Sequence, residues 1–347
     1  MTKTGGVRVS VCMVTYNQEK YIAQAIESVL MQKTDFKFQL LIGDDASTDK
    51  TPQIVREYAE KYPEIIKPVF HEKNIGAGNN SISLYKTVDT EYVAICDGDD
   101  YWVDENKLQK QVDFLDRNKG YNIVFTKSLV KYENQKQKKE YLPSKAALKG
   151  FYKRGYLMAR DVIYYNDITP VSLMWRWKLK NGFPEGYSDK IMGDYVLNMI
   201  HAKDSKIAFL PFVSAVYRRH PASIWASVED SAMRYKKYAE NLINTQLFVK
   251  AYYKNKYAKD FNYVIQTIFD RSIDICIEKN DEIFLKRLIT NYPQLQIIRE
   301  KKRLRTMSPE NAISKAIKRI KKVSHINFVL LLLQSVIIGL LIWLIIK

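Results

Sequence analysis

The chain has few of the residues that build cross-linked or zinc-stabilised proteins. Its 347 residues include only three cysteines, an odd number, and Cys12 and Cys96 fall in strongly apolar segments. The sequence therefore indicates neither a disulfide framework nor a zinc site, and a reducing compartment fits. The N-terminus also lacks an apolar stretch behind a basic start, so we expect no signal peptide.

Internal repeats and low-complexity segments are also missing, which excludes solenoid architectures. The formal net charge is +17, but residues 299–322 hold ten Lys and Arg against two Glu, an excess of eight. The remaining positive charge is scattered, so the composition does not favour a nucleic-acid-binding protein. The length suffices for one catalytic domain of about 220 residues and an appendage.

Three carboxylates follow an apolar run in the segment YVAICDGDDYW, at residues 92–102. The run predicts a short buried strand, which would deliver Asp97, Asp99 and Asp100 to the carboxyl edge of a parallel sheet. Clustered carboxylates repel one another unless a cation neutralises them, and such oxygen ligands suit Mg²⁺ or Mn²⁺ beside phosphates. The alternative is an acidic loop that caps a helix predicted from Asp104 to Leu115.

Two further segments predict strand–loop–helix units. VRVSVCMVTY, at residues 7–16, is rich in β-formers and precedes apolar residues at helical spacing. Residues 38–42 predict another strand, followed by the loop GDDASTDKT and a helix opening near Pro52. Alternating strands and helices predict an α/β fold with a doubly wound, mostly parallel sheet, whose loops meet along one edge.

These segments together resemble the inverting family 2 glycosyltransferases, of the bacterial surface-polysaccharide type, which have the nucleotide-sugar-binding GT-A fold. The resemblance covers residues 7 to about 120, in the family's order and spacing. Its blocks are VSVCMVTYNQEKYIAQAIESVLMQ, LLIGDDASTDKT, NIGAGNNS and YVAICDGDDYW, with weaker matches in ITPVSLMWR and MGDYVLNMI. It implies an enzyme, a hexosyl- or N-acetylhexosaminyltransferase, using a nucleotide-diphosphate sugar.

The resemblance also implies roles for the residues of the first four blocks. Asp99 and Asp97 would hold a divalent cation, Mn²⁺ or Mg²⁺, which stabilises the departing diphosphate. A UDP-sugar is the favoured donor. The implied donor-binding residues are Thr15, Tyr16, Asn17, Asp45, Asn74, Asp97 and Gly98.

Structural alternatives accompany several of these assignments. Tyr16 offers a stacking face for a nucleobase, but it could be ordinary packing at a strand end. Asp45 matches the family's base-recognising acid, and its neighbour Asp44 is the other candidate. Asp49 we expect to cap the helix near Pro52 even where Asp45 binds nucleotide.

Inverting transfer requires a base that takes the proton of the acceptor hydroxyl, and the resemblance gives this role to Asp194. The family usually has an acidic pair here, whereas this chain has Gly193 in the first position. The structural alternative makes Asp194 the N-cap of a helix from Tyr195 to His201. Both roles are compatible.

Acceptor and phosphate contacts are implied by the weaker matches. Ser172 and Trp175 resemble residues that line the acceptor pocket, although Trp175 is equally compatible with a place in the core. In VYRRHPASIW, Arg218 and Arg219 would meet the diphosphate and His220 would complete the cation site. The alternative is a solvated basic loop.

The C-terminal part predicts helices and a membrane anchor. Residues 228–298 show helical periodicity and predict an extension to a catalytic domain at 7–227. Residues 299–324 form a basic amphipathic segment suited to anionic lipid, or alternatively a merely solvated helix. Residues 326–346 are 21 residues without a charge, enough for a transmembrane helix, and the basic flank keeps the catalytic domain in the cytoplasm.

We therefore expect a single-pass cell-membrane glycosyltransferase that acts on a lipid-linked (for example polyprenyl-linked) or cell-surface glycan precursor, without a nucleic-acid partner. One alternative is a transferase acting on a soluble or protein acceptor. Another is a non-catalytic, tail-anchored nucleotide-sugar-binding protein. A nucleotidyltransferase is disfavoured because residues 11–17 contain no glycine or lysine for a phosphate-binding loop.

Overall fold

The computed structural model describes residues 6–133, 140–188, 193–221, 231–254 and 256–305, without the side chains of 231–237 and 303–305. These residues divide into two compact units, with the division between Ile265 and Gln266. The predicted domain limits at 227, 298 and 324 stay predictions.

The first unit begins with three strand–helix units whose strands are parallel. Their strands are β1 (Val7–Thr15), β2 (Lys37–Asp44) and β3 (Ile66–Phe70), and their helices are α1 (Ile22–Leu30), α2 (Thr51–Lys61) and α3 (Ala77–Tyr85). The next elements are β4 (Tyr92–Ile95), β5 (Tyr101–Trp102), α4 (Lys107–Arg117), β6 (Tyr121–Tyr132) and β7 (Glu140–Leu142). The helix predicted from Asp104 therefore begins at Lys107.

The unit continues through two short helices into the antiparallel part of the sheet. These elements are α5 (Lys149–Arg154), α6 (Ala159–Tyr164), β8 (Leu173–Arg176), α7 (Gly193–Ala202) and β9 (Lys206–Arg219). Helix α8 (Ser231–Tyr252) follows, and α9 (Ala258–Glu278) runs across the division between the units.

The described strands form one nine-stranded sheet in the order β3-β2-β1-β4-β8-β6-β9-β5, with β7 paired to β6. Strands β3, β2, β1 and β4 are parallel, whereas β8 runs antiparallel to both β4 and β6. The predicted α/β sheet is confirmed, and β8 makes it mixed. The order brings the carboxyl ends of β1, β2 and β4 together, because β1 lies between the other two.

The core explains why the first unit folds as its sequence predicts. Ile22, Ala25, Ile26 and Val29 occupy one face of α1 and are fully buried, as their 3.6-residue spacing requires. Strand β1 is buried on both faces from Val9 to Met13, which is typical of a central parallel strand. Each fully buried aliphatic side chain contributes about 1.5–3 kcal/mol.

The second unit is helical over its described residues. It contains the end of α9, then α10 (Glu282–Asn291) and α11 (Pro293–Arg305). Asp281 caps α10 by accepting a hydrogen bond from the Phe284 amide at 3.1 Å. No described helix combines the length and apolar character needed to cross a bilayer. The predicted span at 326–346, and most of the predicted basic segment, lie outside the described residues.

Candidate active site

The ends of the three central strands are tied together by backbone hydrogen bonds. The Asp45 amide donates to the Thr15 carbonyl at 3.0 Å, and the Gly98 amide donates to the Val14 carbonyl at 3.0 Å. The loops after β1, β2 and β4 therefore form one continuous surface. The polar residues that follow these strands therefore lie along one edge of the sheet, as the sequence predicts.

The first loop presents an aromatic ring above a rigid turn. Tyr16 is 46% exposed, so its ring is available for a ligand rather than packed at the strand end. Asn17 has a positive φ of 52° and accepts a hydrogen bond from the Thr48 amide at 2.8 Å. Its own amide donates to the Ser47 hydroxyl at 2.9 Å. Asn17 thus holds the first loop against the second.

The second loop contains two buried carboxylates with different structural partners. Asp44 accepts hydrogen bonds from the amide and the hydroxyl of Ser47, which closes its own loop. Asp45 accepts from the Ile75 amide at 2.7 Å through one oxygen and from the Gly76 amide at 2.9 Å through the other. Each oxygen of Asp45 keeps a second lone pair for a ligand, so nucleobase recognition stays a prediction.

The NIGAG loop takes its shape from these contacts. Asn74 accepts a hydrogen bond from the Gly76 amide at 3.1 Å, and Gly76 has a φ of 86°, which suits glycine. The carboxamide of Asn74 therefore shapes the loop whether or not it meets a nucleotide. Asp49, as expected, accepts from the amide of Thr51, the first residue of α2, at 2.9 Å.

Gly98 lies at the closest approach between the acidic loop and the first loop. A β-carbon at this position would stand 2.4 Å from Oε1 of Gln18 and 2.9 Å from the β-carbon of Thr15. The Thr15 hydroxyl itself donates to Oε1 of Gln18 at 2.9 Å, so these neighbours are fixed. Only glycine fits between Asp97 and Asp99 without displacing the first loop.

The acidic loop carries more negative charge than its surroundings neutralise. Burial, the Asp99 charge and the Asp194 charge together raise the pKa of Asp97 to about 8. Burial and the neighbouring carboxylates also raise the pKa of Asp100 well above its usual range. Asp100 accepts a hydrogen bond from the Arg218 amide at 2.8 Å, so it does not cap α4.

An imidazole completes this group of polar residues. Nε2 of His220 lies 3.1 Å from Oδ2 of Asp99, and the His220 ring packs on Tyr21 at 4.8 Å between centroids. Two carboxylates and an imidazole are a donor set that Mn²⁺ or Mg²⁺ accepts. Among the described residues, no group of three or more His, Cys, Asp or Glu side chains is already arranged to hold a metal ion.

The two arginines before His220 have different surroundings. Arg218 is buried, donates to the Asp99 carbonyl and to Gln24, and lies over the rings of Tyr21 and Tyr101. This guanidinium supports the acidic loop, and the phosphate contact of Arg218 stays a prediction. Arg219 donates to the Tyr132 hydroxyl at 2.8 Å, and its phosphate role stays a prediction.

Asp194 lies near the acidic loop although 97 positions separate it from Asp97 in the sequence. It belongs to the first turn of α7, which begins at Gly193, so the N-cap alternative misplaces it by one residue or more. Burial raises the pKa of Asp194, although hydrogen bonds from the amides of Tyr195 and of Asp194 itself act to lower it. The Asp194 charge contributes, after burial and the Asp99 charge, to the raised pKa of Asp97, and the role of Asp194 as the base stays a prediction.

The two predicted acceptor residues lie in the core instead. Ser172 is fully buried and donates to the Thr169 carbonyl at 2.8 Å. Trp175 is fully buried, donates to Oδ1 of Asn198 at 2.9 Å and stacks on His201. Full burial contradicts the prediction that they contact an acceptor. Trp175 belongs to β8, an interior strand between β4 and β6, and Ser172 directly precedes that strand. Sequence reasoning instead missed Tyr85 and Tyr187, discussed below.

Comparison with known proteins agrees with this geometry. Residues 10–176 match the family described as Glycosyl transferase family 2. Over 218 residues the chain is 35% identical to the uncharacterized protein Rv1520 of Mycobacterium tuberculosis, covering 63% of this chain and 60% of that relative. It therefore spans less than two thirds of that relative's length. It is also 37% identical over 107 residues to the dTDP-rhamnosyl transferase RfbG of Shigella flexneri, covering 30% of this chain and 36% of RfbG.

Two solved structures share the fold. TarS of S. aureus, solved with UDP, superposes with a TM-score of 0.51 at 19% identity, covering 83% of this chain and 92% of that structure. The mannosyltransferase PcManGT of Pyrobaculum calidifontis, solved with GDP-Man and Mn²⁺, gives a TM-score of 0.52 at 17% identity, covering 84% and 81%. At these identities the likeness shows the fold alone.

Proposed function

We propose that this chain, which belongs to the family 2 glycosyltransferases by its residues 10–176, transfers a sugar with inversion from a nucleotide-diphosphate donor to a glycan or lipid-linked acceptor. The observation that carries the proposal is the acidic loop with Asp97 and Asp99, which follows β4 and is tied by backbone hydrogen bonds to the ends of β1 and β2. The Asp194 charge also acts on Asp97, which supports a place for Asp194 near this loop. This arrangement supplies a place for a diphosphate and a separate carboxylate for an acceptor.

The donor would lie across the loops after β1, β2 and β4. The exposed ring of Tyr16 offers a stacking face for a nucleobase, and Asp45, whose amide donates to the Thr15 carbonyl, has lone pairs for a ring N–H. The related fold in TarS was solved with UDP and that in PcManGT with GDP-Man, so a nucleotide sugar is the donor class. A UDP-sugar is our first choice.

A divalent cation would be held by Asp99 and Asp97 with support from His220. When bound, it would neutralise the charge that develops on the leaving diphosphate. Burial, and then repulsion between neighbouring carboxylates, raises the pKa of Asp97 and of Asp100, and a cation beside them would offset that repulsion. Arg218 holds the same loop by its backbone amide and its guanidinium.

Asp194 would act as the general base. Its carboxylate takes the proton of the acceptor hydroxyl while the acceptor oxygen bonds to the anomeric carbon and the bond to the phosphate oxygen breaks. Burial raises the pKa of Asp194, which makes the carboxylate a better base than an exposed one. Displacement from the face opposite the leaving group inverts the anomeric configuration.

We further propose that the acceptor lies at a membrane surface. The support is the sequence alone: the uncharged residues 326–346 follow the basic residues 299–322. A single span would anchor the enzyme with its catalytic domain in the cytoplasm, where lipid-linked glycan precursors are assembled.

The decisive test is thermal-shift binding of the purified protein to UDP, GDP, dTDP and CMP, each with Mn²⁺ and with EDTA. We expect Mn²⁺-dependent stabilisation by one diphosphate, of about 2–4 kcal/mol at ligand far above its Kd. CMP, which carries one phosphate, serves as the control. Stabilisation by none of them would leave a non-catalytic protein as the better interpretation.

A further inference from the structure

Two tyrosine hydroxyls close to the catalytic carboxylates have no protein partner among the described residues. Tyr85, the last residue of α3, is only 7% exposed, and its ring packs against Trp175 at 6.2 Å and Trp177 at 5.7 Å. A buried phenol normally finds a hydrogen-bond partner. No hydrogen bond among the described residues uses the Tyr85 hydroxyl, and its oxygen is not one of the enclosed polar atoms that lack a partner, so it is open to solvent or to a ligand.

Tyr187, the second tyrosine, lies in the loop before α7. Its ring stacks on Phe183 with centroids 4.6 Å apart and meets the edge of Phe248 at 6.4 Å. Gly186, with a φ of 81°, makes the turn that allows this packing. The Tyr187 ring is therefore held between two aromatic residues, and its hydroxyl also has no hydrogen-bond partner in the described part of the chain.

The position of the Tyr187 hydroxyl is fixed relative to the start of α7. A β-carbon placed on Gly193 would lie 3.5 Å from that hydroxyl oxygen, and Gly193 directly precedes Asp194. This distance is an ordinary van der Waals contact, so a side chain at position 193 would be a neighbour of the hydroxyl. The Tyr187 hydroxyl therefore lies beside the residue that precedes the proposed base.

The electrostatic environment agrees with the geometry that these groups are neighbours. Besides burial, the charges of Asp97 and Asp194 and the neighbouring Tyr187 raise the pKa of Tyr85. Burial and the Asp194 charge raise the pKa of Tyr187. Both phenols are therefore protonated at neutral pH, and each can donate one hydrogen bond and accept another.

We propose that Tyr85 and Tyr187 form a saccharide-binding pair beside the proposed catalytic carboxylates Asp97 and Asp194. Tyr187, supported by Phe183 and Phe248, binds a hydroxyl of the acceptor pyranose beside the base. Tyr85, on the side of Asp97, binds a hydroxyl of the sugar that is transferred. This inference rests on the proposed function and adds positioning residues that neither the sequence motifs nor the family match assign.

The chemistry of the pair fits pyranose rings. A phenol can match the mixed donor and acceptor character of a sugar hydroxyl, and the neighbouring rings can pack on the apolar C–H face of a saccharide. Removal of one such hydrogen bond should weaken binding of the sugar by roughly 2- to 12-fold. Binding of the nucleotide should not change, because neither hydroxyl belongs to the loops after β1 or β2.

The test compares Tyr85→Phe and Tyr187→Phe in the full-length protein, with Tyr152→Phe as the matched control. Tyr152 is 66% exposed on α5. The donors are UDP-glucose, UDP-GlcNAc, dTDP-rhamnose and GDP-mannose, and the acceptors are p-nitrophenyl glycosides of glucose, galactose, mannose and N-acetylglucosamine. Nucleoside-diphosphate affinity, donor KM and acceptor KM are measured separately, and melting temperatures verify that each variant is folded.

We expect Tyr187→Phe to raise the acceptor KM about 10-fold at unchanged donor KM, and Tyr85→Phe to raise the donor KM at unchanged diphosphate affinity. Unchanged KM values in both variants would contradict the proposal that the two tyrosines bind saccharides. A wild-type enzyme that hydrolyses a donor but transfers to none of the glycosides would contradict it as well. Failure of the wild-type protein to bind any nucleoside diphosphate would instead contradict the proposed function, so the two failures are distinguishable.

Discussion

Nε2 of His220 and Oδ2 of Asp99 lie 3.1 Å apart, although the two residues are 121 positions apart in the sequence. The contact joins the end of β9 to the loop after β4. Tyr21 packs on the imidazole, and its own hydroxyl donates to Glu133 at 2.6 Å, so the ring orientation of His220 is held from a second side. The orientation of the Asp99 carboxylate is therefore set by an element far along the chain.

Replacement of Asp99 by Asn should abolish metal-dependent turnover while the fold is kept. The amide has the shape of the carboxylate but lacks its charge, so a divalent cation loses its main ligand. We expect activity to fall at least 100-fold and Mn²⁺-dependent stabilisation by the diphosphate to disappear. Asp113→Asn on α4, which removes a half-exposed acid, is the control. Full activity of the Asp99 variant would remove the metal-site assignment.

Replacement of His220 by Ala should have a smaller effect on the same measurements. Partners that orient a metal ligand typically contribute 10- to 100-fold to metal affinity or activity. We expect the Mn²⁺ concentration for half-maximal activity to rise by about that factor. If His220→Ala binds Mn²⁺ and turns over as the wild-type protein does, the imidazole has only a packing role against Tyr21.

Gly98→Ala should damage the site more than the size of a methyl group suggests. The new β-carbon would meet Oε1 of Gln18 at 2.4 Å and the Thr15 β-carbon at 2.9 Å, so the first loop must move. Overpacking of this kind costs about 1–3 kcal/mol, and the displaced Tyr16 should weaken nucleotide binding. Gly120→Ala is the matched control, because nothing lies within 4 Å of its added carbon. Urea unfolding and diphosphate titration of both variants test this.

The part of the structure that follows from local pattern was predictable. The buried helix face of α1, the apolar run of β1 and the Asp-rich end of β4 each depend on residues close in sequence. The parallel order of β3, β2, β1 and β4 then follows from the alternation of strands and helices. The meeting of their loops at one edge required no information about side-chain packing.

The surroundings of the other site residues depended on contacts between segments that are distant in sequence. Trp175 looked suitable for a sugar, yet β8 inserts between β4 and β6 and buries it. Arg218 was predicted to contact a phosphate, and its guanidinium also donates to the Asp99 carbonyl across 119 positions, which residue spacing does not reveal. Tyr85 and Tyr187 carry no motif at all. Such residues acquire a role only when the sheet order brings separate segments together, which residue spacing does not encode.

Deletion of residues 326–347 tests the proposed membrane anchor. An uncharged stretch of 21 residues at 326–346 is long enough to span a bilayer, so its removal should release the protein to the soluble fraction. Fractionation before and after a high-salt wash distinguishes attachment through the uncharged residues 326–346 from attachment through the basic residues 299–322. Salt-sensitive membrane binding of the truncated protein would mean that the basic residues 299–322 are the main anchor.

Lys107 gives the fold a pH dependence that no motif predicts. Its side chain is fully buried at the start of α4, where the ammonium donates to Gln111 at 2.9 Å and lies 4.2 Å from the centre of the Trp102 ring. Burial lowers the pKa of Lys107 from 10.5 to about 7. The folded protein therefore holds this proton less tightly than the unfolded chain does.

The sign of the effect follows from proton binding. Between pH 7 and about 10.5 the unfolded chain keeps a proton that the folded protein has released, so the free energy of unfolding gains a contribution that rises with pH, by up to about 1.4 kcal/mol per pH unit. Lys107→Met should remove this slope, whereas Lys110→Met, which replaces a half-exposed lysine on the same helix, should keep it. Urea unfolding of the three proteins from pH 7 to pH 10 measures the slopes directly. Equal slopes in the wild-type protein and Lys107→Met would show that Lys107 keeps its proton in the folded state, since a buried lysine that stays charged adds no pH dependence over this range.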